Sequence, residues 1–497
     1  MTAENPTSID VIVLGGGPVG ENVAQYATEG TDLTAALVEG ELLGGECSYY
    51  ACMPSKALLR PLAVADAAAH LPGISTPEVD RPALLARRDD WVSHYSDAGQ
   101  VSWAEGAGLQ VVRGHGRLVG EREIEVDGAD GRAPRRLVGE REIEVDGADG
   151  RAPRRLVAER AVVLATGSVP VIPAELRELA PWTSRDATGV VEVPGELVIV
   201  GGGVVAVEAA TWMAALGTRV TMLVRGDALL RGLEPFAGRH VLEALRGLGV
   251  DVRLGASVVG GERAGARETG LGRLHGGRVR LEVESDRRRD TLEADEVLVA
   301  TGRRPRLDDV GLETVGLSLE DVTGGGALPE WLHAVGDASG EAPLTHWGKY
   351  RARVIGQRIL AAATGEAAEP VPDQVPVPQV VFTDPQVAAV GLTEAEAREA
   401  GLRVVTAQVP FGGAAGSALL RDDVDGTAQI VVDLETRTLV GATFVGPEAS
   451  ELLHAATIAI VGTVPVHVLR HAVPSYPAAS ELWLRLLEEL PREMRAG

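Results

Sequence analysis

A glycine-rich turn that follows a short apolar run constrains the fold of this chain more than any other feature of its sequence. The run is Ile9–Leu14, and Gly15, Gly17 and Gly20 follow it in G-x-G-x-x-G spacing. The run predicts a buried parallel strand, and Pro18–Thr28 predicts a helix that opens at the turn. Glycines here allow a tight turn, close approach of a pyrophosphate to the backbone, and close packing of helix on strand.

An acidic residue lies where such a unit needs one. A second predicted strand, Thr34–Val38, ends at Glu39, about twenty residues after the turn. A carboxylate at this offset accepts hydrogen bonds from a ribose. The turn, both strands and the acid together predict a dinucleotide-binding unit.

The same pattern recurs near residue 200. A predicted strand, Leu197–Val200, precedes a G-x-G-x-x-A turn formed by Gly201, Gly203 and Ala206. A helix to about Leu216 and a second strand, Val220–Val224, complete the predicted unit. Two such units imply two nucleotides, and therefore electron transfer between them.

The second unit lacks the acid. Arg225 follows its second strand, and Arg231 lies six residues further on. An acid here binds the 2′-hydroxyl of NAD, whereas arginine favours a 2′-phosphate, so we expect NADPH, with NADH still possible. The alternative is that both arginines are solvated surface residues.

Composition excludes several classes of protein. The 497 residues include 71 acidic and 47 basic ones, and the net charge of −24 argues against nucleic-acid binding. No apolar run approaches the roughly 18 residues of a membrane span, and the first residues contain no secretory signal. We therefore expect a cytoplasmic protein with no membrane or nucleic-acid partner.

The C-terminal part carries no nucleotide signature. From about Pro372 it shows alternating strands and a later helix, which predict an α+β domain. The predicted elements are Val377–Phe382, Gln429–Val432, Thr438–Val445 and the helix Ala449–Val461.

A segment of 19 residues occurs twice in tandem, at Leu118–Arg136 and Leu137–Arg155. A hairpin with one strand at Ile124–Val126, a turn at Asp127–Gly128 and a return strand before Ala161 needs only one copy. Either copy could pair, so we expect the surplus to form a mobile loop without chemical meaning.

The chemistry centres on Gly44–Lys56, which reads GGECSYYACMPSK and holds the only two cysteines, Cys47 and Cys52. At a helix start with a lysine nearby, this pair can form a small disulfide ring with a lowered thiol pKa. Lys56 and Lys349 are the only lysines of the chain. Two inert buried thiols are the alternative. Zinc binding is disfavoured because no further cysteine or histidine cluster supplies ligands, and we expect no metal.

The whole chain resembles the class I pyridine nucleotide–disulfide oxidoreductases, which include lipoamide dehydrogenase, glutathione reductase and mercuric reductase. The glycine turn and the cysteine segment carry this resemblance. Four further segments resemble family motifs: ATGSVP (Ala165–Pro170), ATGRRP (Ala300–Pro305), HAVGDA (His333–Ala338) and VVFTDPQVAAVGLTE (Val380–Glu394).

The resemblance implies an α/β fold with two Rossmann-like dinucleotide-binding domains and a C-terminal α+β dimerisation domain. We expect a discontinuous FAD domain at 1–190 and 295–370, an NAD(P) domain at 191–294 and a dimerisation domain at 371–497. It implies a homodimer whose active site is shared across the interface. The FAD contacts it implies are Gly15, Gly17, Pro18, Gly20, Glu39, Gly45, Lys56, Thr166, Gly167 and Asp337. Those implied for NADP are Gly201, Gly203, Ala206, Arg225, Arg231 and Gly302.

The resemblance also implies roles. Hydride would pass from NADPH to the flavin, Cys52 would be the charge-transfer thiol, and Cys47 would attack an external disulfide. Lys56 and Glu208 match the family's ion pair beside the flavin; the alternative is two unpaired surface charges.

The departures from the family pattern concern the acceptor. Tyr49 and Ala51 replace the usual Asn and Gly between the cysteines. Tyr476 stands where the family has a catalytic histidine, although Glu481 remains. A phenol with a pKa near ~10 is no base at neutral pH, and nothing in the spacing requires His471 to substitute. Tyr476 resembles mercuric reductase, but the C-terminal cysteine pair of that enzyme is missing, and lipoamide dehydrogenase is disfavoured by Tyr476 and Arg225.

The sequence therefore predicts an FAD-dependent NAD(P)H oxidoreductase that reduces a disulfide or related small, thiol-reactive acceptor. A diaphorase or quinone reductase that bypasses the cysteines is the alternative. A non-catalytic redox sensor is a third hypothesis, disfavoured because both nucleotide sites look complete.

Overall fold

The computed structural model describes residues 7–127, 136–138, 141–143, 154–285, 288–372 and 375–495. Its first sheet has seven strands. Five of them are parallel, in the order Gln110–Arg113, Ala35–Glu39, Thr7–Leu14, Arg154–Leu164, Leu332–Ala334. The antiparallel pair Glu123–Asp127 and His115–Gly120 extends the sheet along the first half of Arg154–Leu164.

The register of this sheet determines what meets at its carboxyl edge. Leu14 is opposite both Val38 and Leu164, so the residues that follow these three strands emerge side by side. Near this edge, the residues Val11–Leu14, Ala35–Val38 and Ala161–Leu164 are apolar and buried on both faces, as parallel strands between helices must be. The flanking helices are Pro18–Thr28 and Thr345–Thr364, which pack together where Gly356 leaves room for Tyr26.

The second sheet repeats this arrangement with four parallel strands. Their order is Asp251–Leu254, Arg219–Val224, Glu196–Val200, Glu296–Val299. The helices Val204–Ala215 and Pro235–Gly247 connect them. A three-stranded antiparallel sheet follows in the same part of the chain, formed by Ala256–Arg263, Val279–Ser285 and Arg288–Ala294.

The third unit is a five-stranded antiparallel sheet. Its order is Gln379–Val381, Gln386–Gly391, Leu439–Gly446, Thr427–Asp433, Val404–Pro410. The helices Ser450–Val461 and Glu481–Glu489 cover it. The predicted strand Val377–Phe382 is shorter than expected, because Pro376 and Pro378 have no N–H to offer a ladder.

The remaining elements are short or lie between the sheets. The other helices are Gly45–Tyr49, Cys52–Ala69, Arg81–Trp91, Ala98–Gly106, Ser184–Thr188, Leu319–Thr323, Glu394–Glu399, Ala415–Ala418, Val466–Leu469 and Arg492–Arg495. The 3-10 turns among the described residues are Ser93–Tyr95, Ala174–Leu179, Leu312–Val315, Gly336–Ser339 and Phe411–Gly413. Two small antiparallel pairs are Ser168–Pro170 with Arg303–Pro305, and Arg136–Val138 with Arg141–Ile143.

The predicted fold class is confirmed: two doubly wound units and a C-terminal α+β unit. The first sheet takes its strand Leu332–Ala334 from beyond the second unit. The domain boundaries near residues 190, 295 and 370 stay predictions. Within the described ranges, no helix is both long and apolar enough to cross a membrane.

The tandem repeat contributes residues to three strands of the first sheet: the end of His115–Gly120, all of Glu123–Asp127 and the start of Arg154–Leu164. Glu123–Asp127 of the first copy pairs with Arg154–Leu164, whose first two residues end the second copy. The return strand therefore forms as expected, with Ile124 opposite Leu156. The predicted turn at Gly128 and most of the predicted surplus loop (128–135, 139–140 and 144–153) lie outside the described residues.

Candidate active site

A cavity of about 1350 Å³ extends along the carboxyl edges of both parallel sheets. Most of the residues that the sequence singled out line it. They are Gly15, Gly17, Pro18, Glu39, Gly45, Cys47, Cys52, Lys56, Thr166, Gly167, Gly201, Gly203, Glu208, Arg225, Arg231, Gly302 and Asp337. Gly20, Ala206, Tyr476 and Glu481 do not line it.

The first glycine turn has the shape that its spacing predicts. Gly15 has a φ of +108°, and a Cβ there would lie 2.2 Å from the carbonyl oxygen of Ala165. A Cβ on Gly20 would lie 2.0 Å from the carbonyl oxygen of Gly15, so this residue serves packing alone. A Cβ on Gly17 would approach nothing closer than Gly45, at 3.9 Å, which leaves the backbone open to the cavity.

The Glu39 side chain is hydrogen-bonded to the backbone of this glycine turn. Its Oε2 accepts a hydrogen bond from the Gly16 N–H at 2.7 Å, and its Oε1 accepts one from the Glu41 N–H at 2.7 Å. Burial raises the pKa of Glu39, while these two N–H groups oppose the change. The carboxylate keeps further lone pairs for a ribose.

The second turn mirrors the first. Gly201 has a φ of +136°, and a Cβ there would lie 2.3 Å from the carbonyl oxygen of Ala300. Gly203 has open space where a Cβ would be, and the methyl group of Ala206 is completely buried. Arg225 and Arg231 are exposed where they line the cavity, and Arg231 Nε lies 3.7 Å from an oxygen of Asp227.

These features fit FAD and a pyridine nucleotide. Each unit offers a helix N-terminus behind an open glycine backbone, where a Cβ would block a pyrophosphate. Asp337, at the edge of the first sheet, accepts a hydrogen bond from Ser168 Oγ and faces the cavity. Pockets for one drug-sized ligand rarely exceed about 1,000 Å³, so this cavity is large enough for more than one nucleotide.

The two cysteines lie on adjoining short elements. Cys47 is inside the helix Gly45–Tyr49, and Cys52 is the first residue of Cys52–Ala69. Both thiols are free. A hydrogen bond with Cys47 lowers the pKa of Cys52 to about 6 against the effect of burial, helped by the Thr345 hydroxyl and the Lys56 charge. The same bond, together with burial, raises the pKa of Cys47.

Lys56 and Glu208 do meet. Lys56 Nζ donates hydrogen bonds to the two carboxylate oxygens of Glu208 at 2.8 and 3.1 Å. Glu208 is buried and also accepts the Phe382 N–H at 2.9 Å. The ammonium group lies 4.7 Å from the centre of the Phe382 ring. Three distant segments therefore converge on one carboxylate.

Sequence reasoning missed several polar residues of this cavity. Thr345 Oγ1 lies 3.5 Å from Cys52 Sγ, at the start of the helix Thr345–Thr364. Glu46, next to Cys47, is bound by Arg185 and Arg303. Glu46, an acid inside the cysteine motif, is the one of these residues that the sequence could have singled out. The side chains that contact it come from remote segments, which no local pattern links to the motif.

Tyr476 and Glu481 lie apart from the cysteines within one chain. The Tyr476 side chain is 77% exposed, as is expected of a residue that would act only across a subunit interface. Glu481 is buried, and it accepts hydrogen bonds from Arg485 at 2.8 Å and from the Ala415 N–H at 3.3 Å. His471 is also exposed.

Two nucleotide-type turns line one cavity together with a cysteine pair and a half-buried ion pair, and these features define a two-nucleotide oxidoreductase. A model of the pyridine nucleotide–disulphide oxidoreductases matches residues 9–343, and a model of their dimerisation domain matches residues 377–486. The chain belongs to this family of FAD-dependent enzymes, which use a pyridine nucleotide, and it carries the family's dimerisation domain.

Known relatives agree with this assignment. Dihydrolipoyl dehydrogenase of Haloferax volcanii is 33% identical, with 97% of this chain and 96% of the relative covered. The Thermus scotoductus enzyme of the same name is 32% identical, with 97% and 98% covered.

Solved structures share the fold. LpdA of Mycobacterium tuberculosis has a TM-score of 0.77 at 24% identity, with 97% of this chain and 99% of that chain covered. The HOCl-induced flavoprotein disulfide reductase RclA of Escherichia coli has a TM-score of 0.76 at 22% identity, with 97% and 99% covered.

Proposed function

We propose that this protein uses NADPH to reduce a disulfide or a related thiol-reactive acceptor through Cys47 and Cys52. The observation that carries the proposal is the hydrogen-bonded cysteine pair, which lies beside the Lys56–Glu208 ion pair in the cavity that both glycine turns line. The exposed Arg225 and Arg231 support a preference for the 2′-phosphate of NADPH.

The proposed cofactor contacts are made by residues that line the cavity. FAD, when bound, would supply two-electron transfer between a pyridine nucleotide and a disulfide. The turn Gly15–Gly17, Gly45, Glu39 and Asp337 would hold it, together with the backbone at Thr166 and Gly167. Gly201, Gly203 and Gly302 would leave room for the pyridine nucleotide.

The two cysteines have different protonation states and therefore different roles. In the reduced pair Cys52 is the thiolate and Cys47 the protonated thiol, because their hydrogen bond moves the two pKa values apart. Passing that proton to Cys52 turns Cys47 into the nucleophile. Its thiolate attacks an external disulfide, a mixed disulfide forms and one thiolate leaves. Cys52 then gives the proton that it received to the first departing thiolate, and its own thiolate attacks Cys47. This closes the Cys47–Cys52 disulfide and releases the second thiolate, which takes a proton from solvent.

The acceptor is the open part of the proposal. Relatives named dihydrolipoyl dehydrogenase make dihydrolipoamide and lipoamide the first pair to assay. Tyr476 in place of the histidine that the resemblance implies, and Arg225 in place of an acid, argue for a different disulfide and for NADPH. The site would be completed by Tyr476 of a second, identical subunit.

A diaphorase or quinone reductase is the second candidate. The exposed phenol of Tyr476 favours it, because no imidazole is supplied at that position to protonate a leaving thiolate. In that case electrons would leave the cavity without passing through the cysteines.

An anaerobic titration of the holoenzyme with NADPH separates the two candidates. A long-wavelength thiolate–flavin absorbance band at the first two electrons, with two new thiols per chain, would support the cysteine route. Bleaching of the flavin with neither the band nor new thiols would contradict it and favour quinones. The variant Cys47→Ser is the matched control, because it removes the disulfide and leaves Cys52 in place.

A further inference from the structure

A half-buried arginine from another element holds the segment that carries the cysteines. Arg185, on the helix Ser184–Thr188, donates its Nε–H to Glu46 Oε2 at 2.8 Å. Its guanidinium group lies over the ring of Tyr50, 4.3 Å from the ring centre. Glu46 directly precedes Cys47, and Tyr50 lies between the two cysteines. The Arg185 side chain therefore contacts the cysteine segment on both sides of Cys47.

Further contacts from neighbouring residues also hold Glu46 and Tyr50 in place. Thr188, on the same helix, donates its hydroxyl to the carbonyl oxygen of Tyr50 at 2.8 Å. Tyr50 also stacks on Tyr95, with 5.7 Å between ring centres. Arg303 donates a further hydrogen bond to Glu46, at 3.3 Å, and one to Ser168 Oγ at 2.8 Å. Arg303 thereby links Glu46 to Ser168, which donates a hydrogen bond to Asp337.

Glu46 and Arg185 both stay ionised. Burial alone would raise the pKa of Glu46, but the Arg185 guanidinium holds it below its usual value. Burial alone would lower the pKa of Arg185, and the carboxylates of Glu46 and Glu41 raise it instead. Arg185 also donates to both oxygens of Glu41 at 3.1 Å. Glu46 is therefore no proton donor, and the pair acts by fixing geometry.

We propose that Arg185 is a positioning residue that keeps Cys47 against Cys52 and so stabilises the disulfide between them. The inference rests on the proposed function, since it assumes that this disulfide forms. A disulfide needs its two sulfur atoms about 2.05 Å apart with a specific dihedral angle. Holding the segment before and after Cys47 raises the effective concentration of one thiol at the other, which favours closure.

Equilibrium with glutathione measures this effect. Two glutathione thiols reduce the Cys47–Cys52 bond: that S–S bond breaks, one glutathione disulfide forms, and two electrons and two protons move to the cysteines. The holoenzyme would be equilibrated anaerobically in glutathione buffers, quenched in acid and alkylated, and the labelled thiols counted by mass. This readout does not depend on turnover.

Two substitutions at Arg185 give graded expectations. Arg185→Met should lower the equilibrium constant for disulfide formation about tenfold, which is about 30 mV for a two-electron couple. Arg185→Lys keeps the charge but loses the planar fork and the ring contact, so it should fall between wild type and Arg185→Met.

Two further variants make the test specific. Arg263→Met breaks a different arginine–glutamate ion pair, with Glu296 at 2.6 Å, which is completely buried, so it introduces at least as severe a defect away from the cysteine segment. Its disulfide equilibrium should match wild type. Glu46→Gln should shift the equilibrium in the same direction as Arg185→Met, and the double variant should shift it by less than the sum. Glu46→Gln also carries the test alone should Arg185→Met fail to fold.

The outcomes separate the two proposals. Wild-type equilibrium constants in Arg185→Lys and Glu46→Gln would overturn the positioning role, and so would an equal shift in Arg263→Met. A wild-type enzyme in which the Cys47–Cys52 disulfide forms at no glutathione ratio would instead overturn the proposed function.

Discussion

Single residues set the reactivity of the cysteine pair. With its pKa lowered to about 6, Cys52 is mostly thiolate above that pH and mostly thiol below it. The alkylation rate of the reduced enzyme should therefore rise between pH 5 and 7 and level off above. Iodoacetamide labelling across this range, with the labelled cysteine identified by mass, measures the midpoint.

Matched variants show which contact lowers that pKa. Cys47→Ala removes the main hydrogen bond to Cys52 and should move the midpoint upward. Thr345→Val should move it in the same direction, because it removes the hydroxyl 3.5 Å from Cys52 Sγ, and Thr345→Ser should restore it. Thr364→Val, at the far end of the same helix, should change nothing. A midpoint near 8.5 in wild type would contradict the assignment.

The choice of nucleotide is a second prediction at this scale. Arg225→Glu should lower the NADPH/NADH ratio of kcat/KM by about tenfold or more, because a carboxylate repels the 2′-phosphate and accepts a hydrogen bond from a 2′-hydroxyl. Steady-state kinetics with both nucleotides measure the ratio. Arg246→Glu, on the exposed face of a helix in the same unit, controls for charge alone. An unchanged ratio in Arg225→Glu would defeat the assignment.

Functional residues could be predicted from the sequence only where they belong to a known motif. The glycine turns and the Lys56–Glu208 pair belong to recognisable patterns. Arg185 and Glu46 are 139 residues apart in the chain, and neither spacing nor composition links them. Such contacts depend on how separate elements pack, which a single sequence does not reveal.

At the scale of elements, prediction succeeded where local chemistry decides. The helix Pro18–Thr28 has the predicted bounds, because a proline follows a glycine turn at its start. The strand predicted at Val377–Phe382 is reduced to Gln379–Val381 by its prolines. The parallel strands around both glycine turns lie within one or two residues of their predicted positions, since buried apolar runs mark them clearly.

The tandem repeat gives a prediction about elements. Removing residues 137–155 should leave the fold and the activity intact, because the first copy ends in the same Arg-Arg pair that the sheet register uses. Shortening the connection between Val126 and Arg154 should stabilise the protein by about 1 kcal/mol or less through loop entropy. Urea unfolding and NADPH oxidation measure both.

The control keeps the length of the connection. A variant with residues 139–153 replaced by a Gly/Ser sequence of equal length should behave like wild type. Loss of activity in the deletion and in this control would mean that the repeat itself has a role.

At the scale of the whole molecule, the proposed site needs Tyr476 of a second subunit, so we expect its activity to depend on the dimer. Val473 is 87% exposed and lies three residues before Tyr476, in the part that matches the dimerisation domain. Val473→Asp should raise the dimer dissociation constant at least tenfold, because a charge would be buried in the interface. Sedimentation velocity measures this constant.

The same variant should separate two activities. Reduction of a disulfide should fall with the loss of dimer, whereas NADPH-dependent reduction of ferricyanide, which needs one chain only, should persist. Leu248→Asp, at a half-exposed leucine of the second unit, should affect neither. An unchanged dimer in Val473→Asp would show that the subunits meet elsewhere.

The contacts of the Glu208 carboxylate also determine how late in translation the complete site can form. Its partner Lys56 comes 152 residues earlier, and its partner Phe382 comes 174 residues later. At about 5–20 residues per second, a ribosome needs roughly 15 to 65 s to make the stretch between them. Throughout that interval the nascent chain already carries both thiols. Translation that stops before residue 382 therefore yields a protein with the cysteine pair and an ion pair that lacks its backbone support.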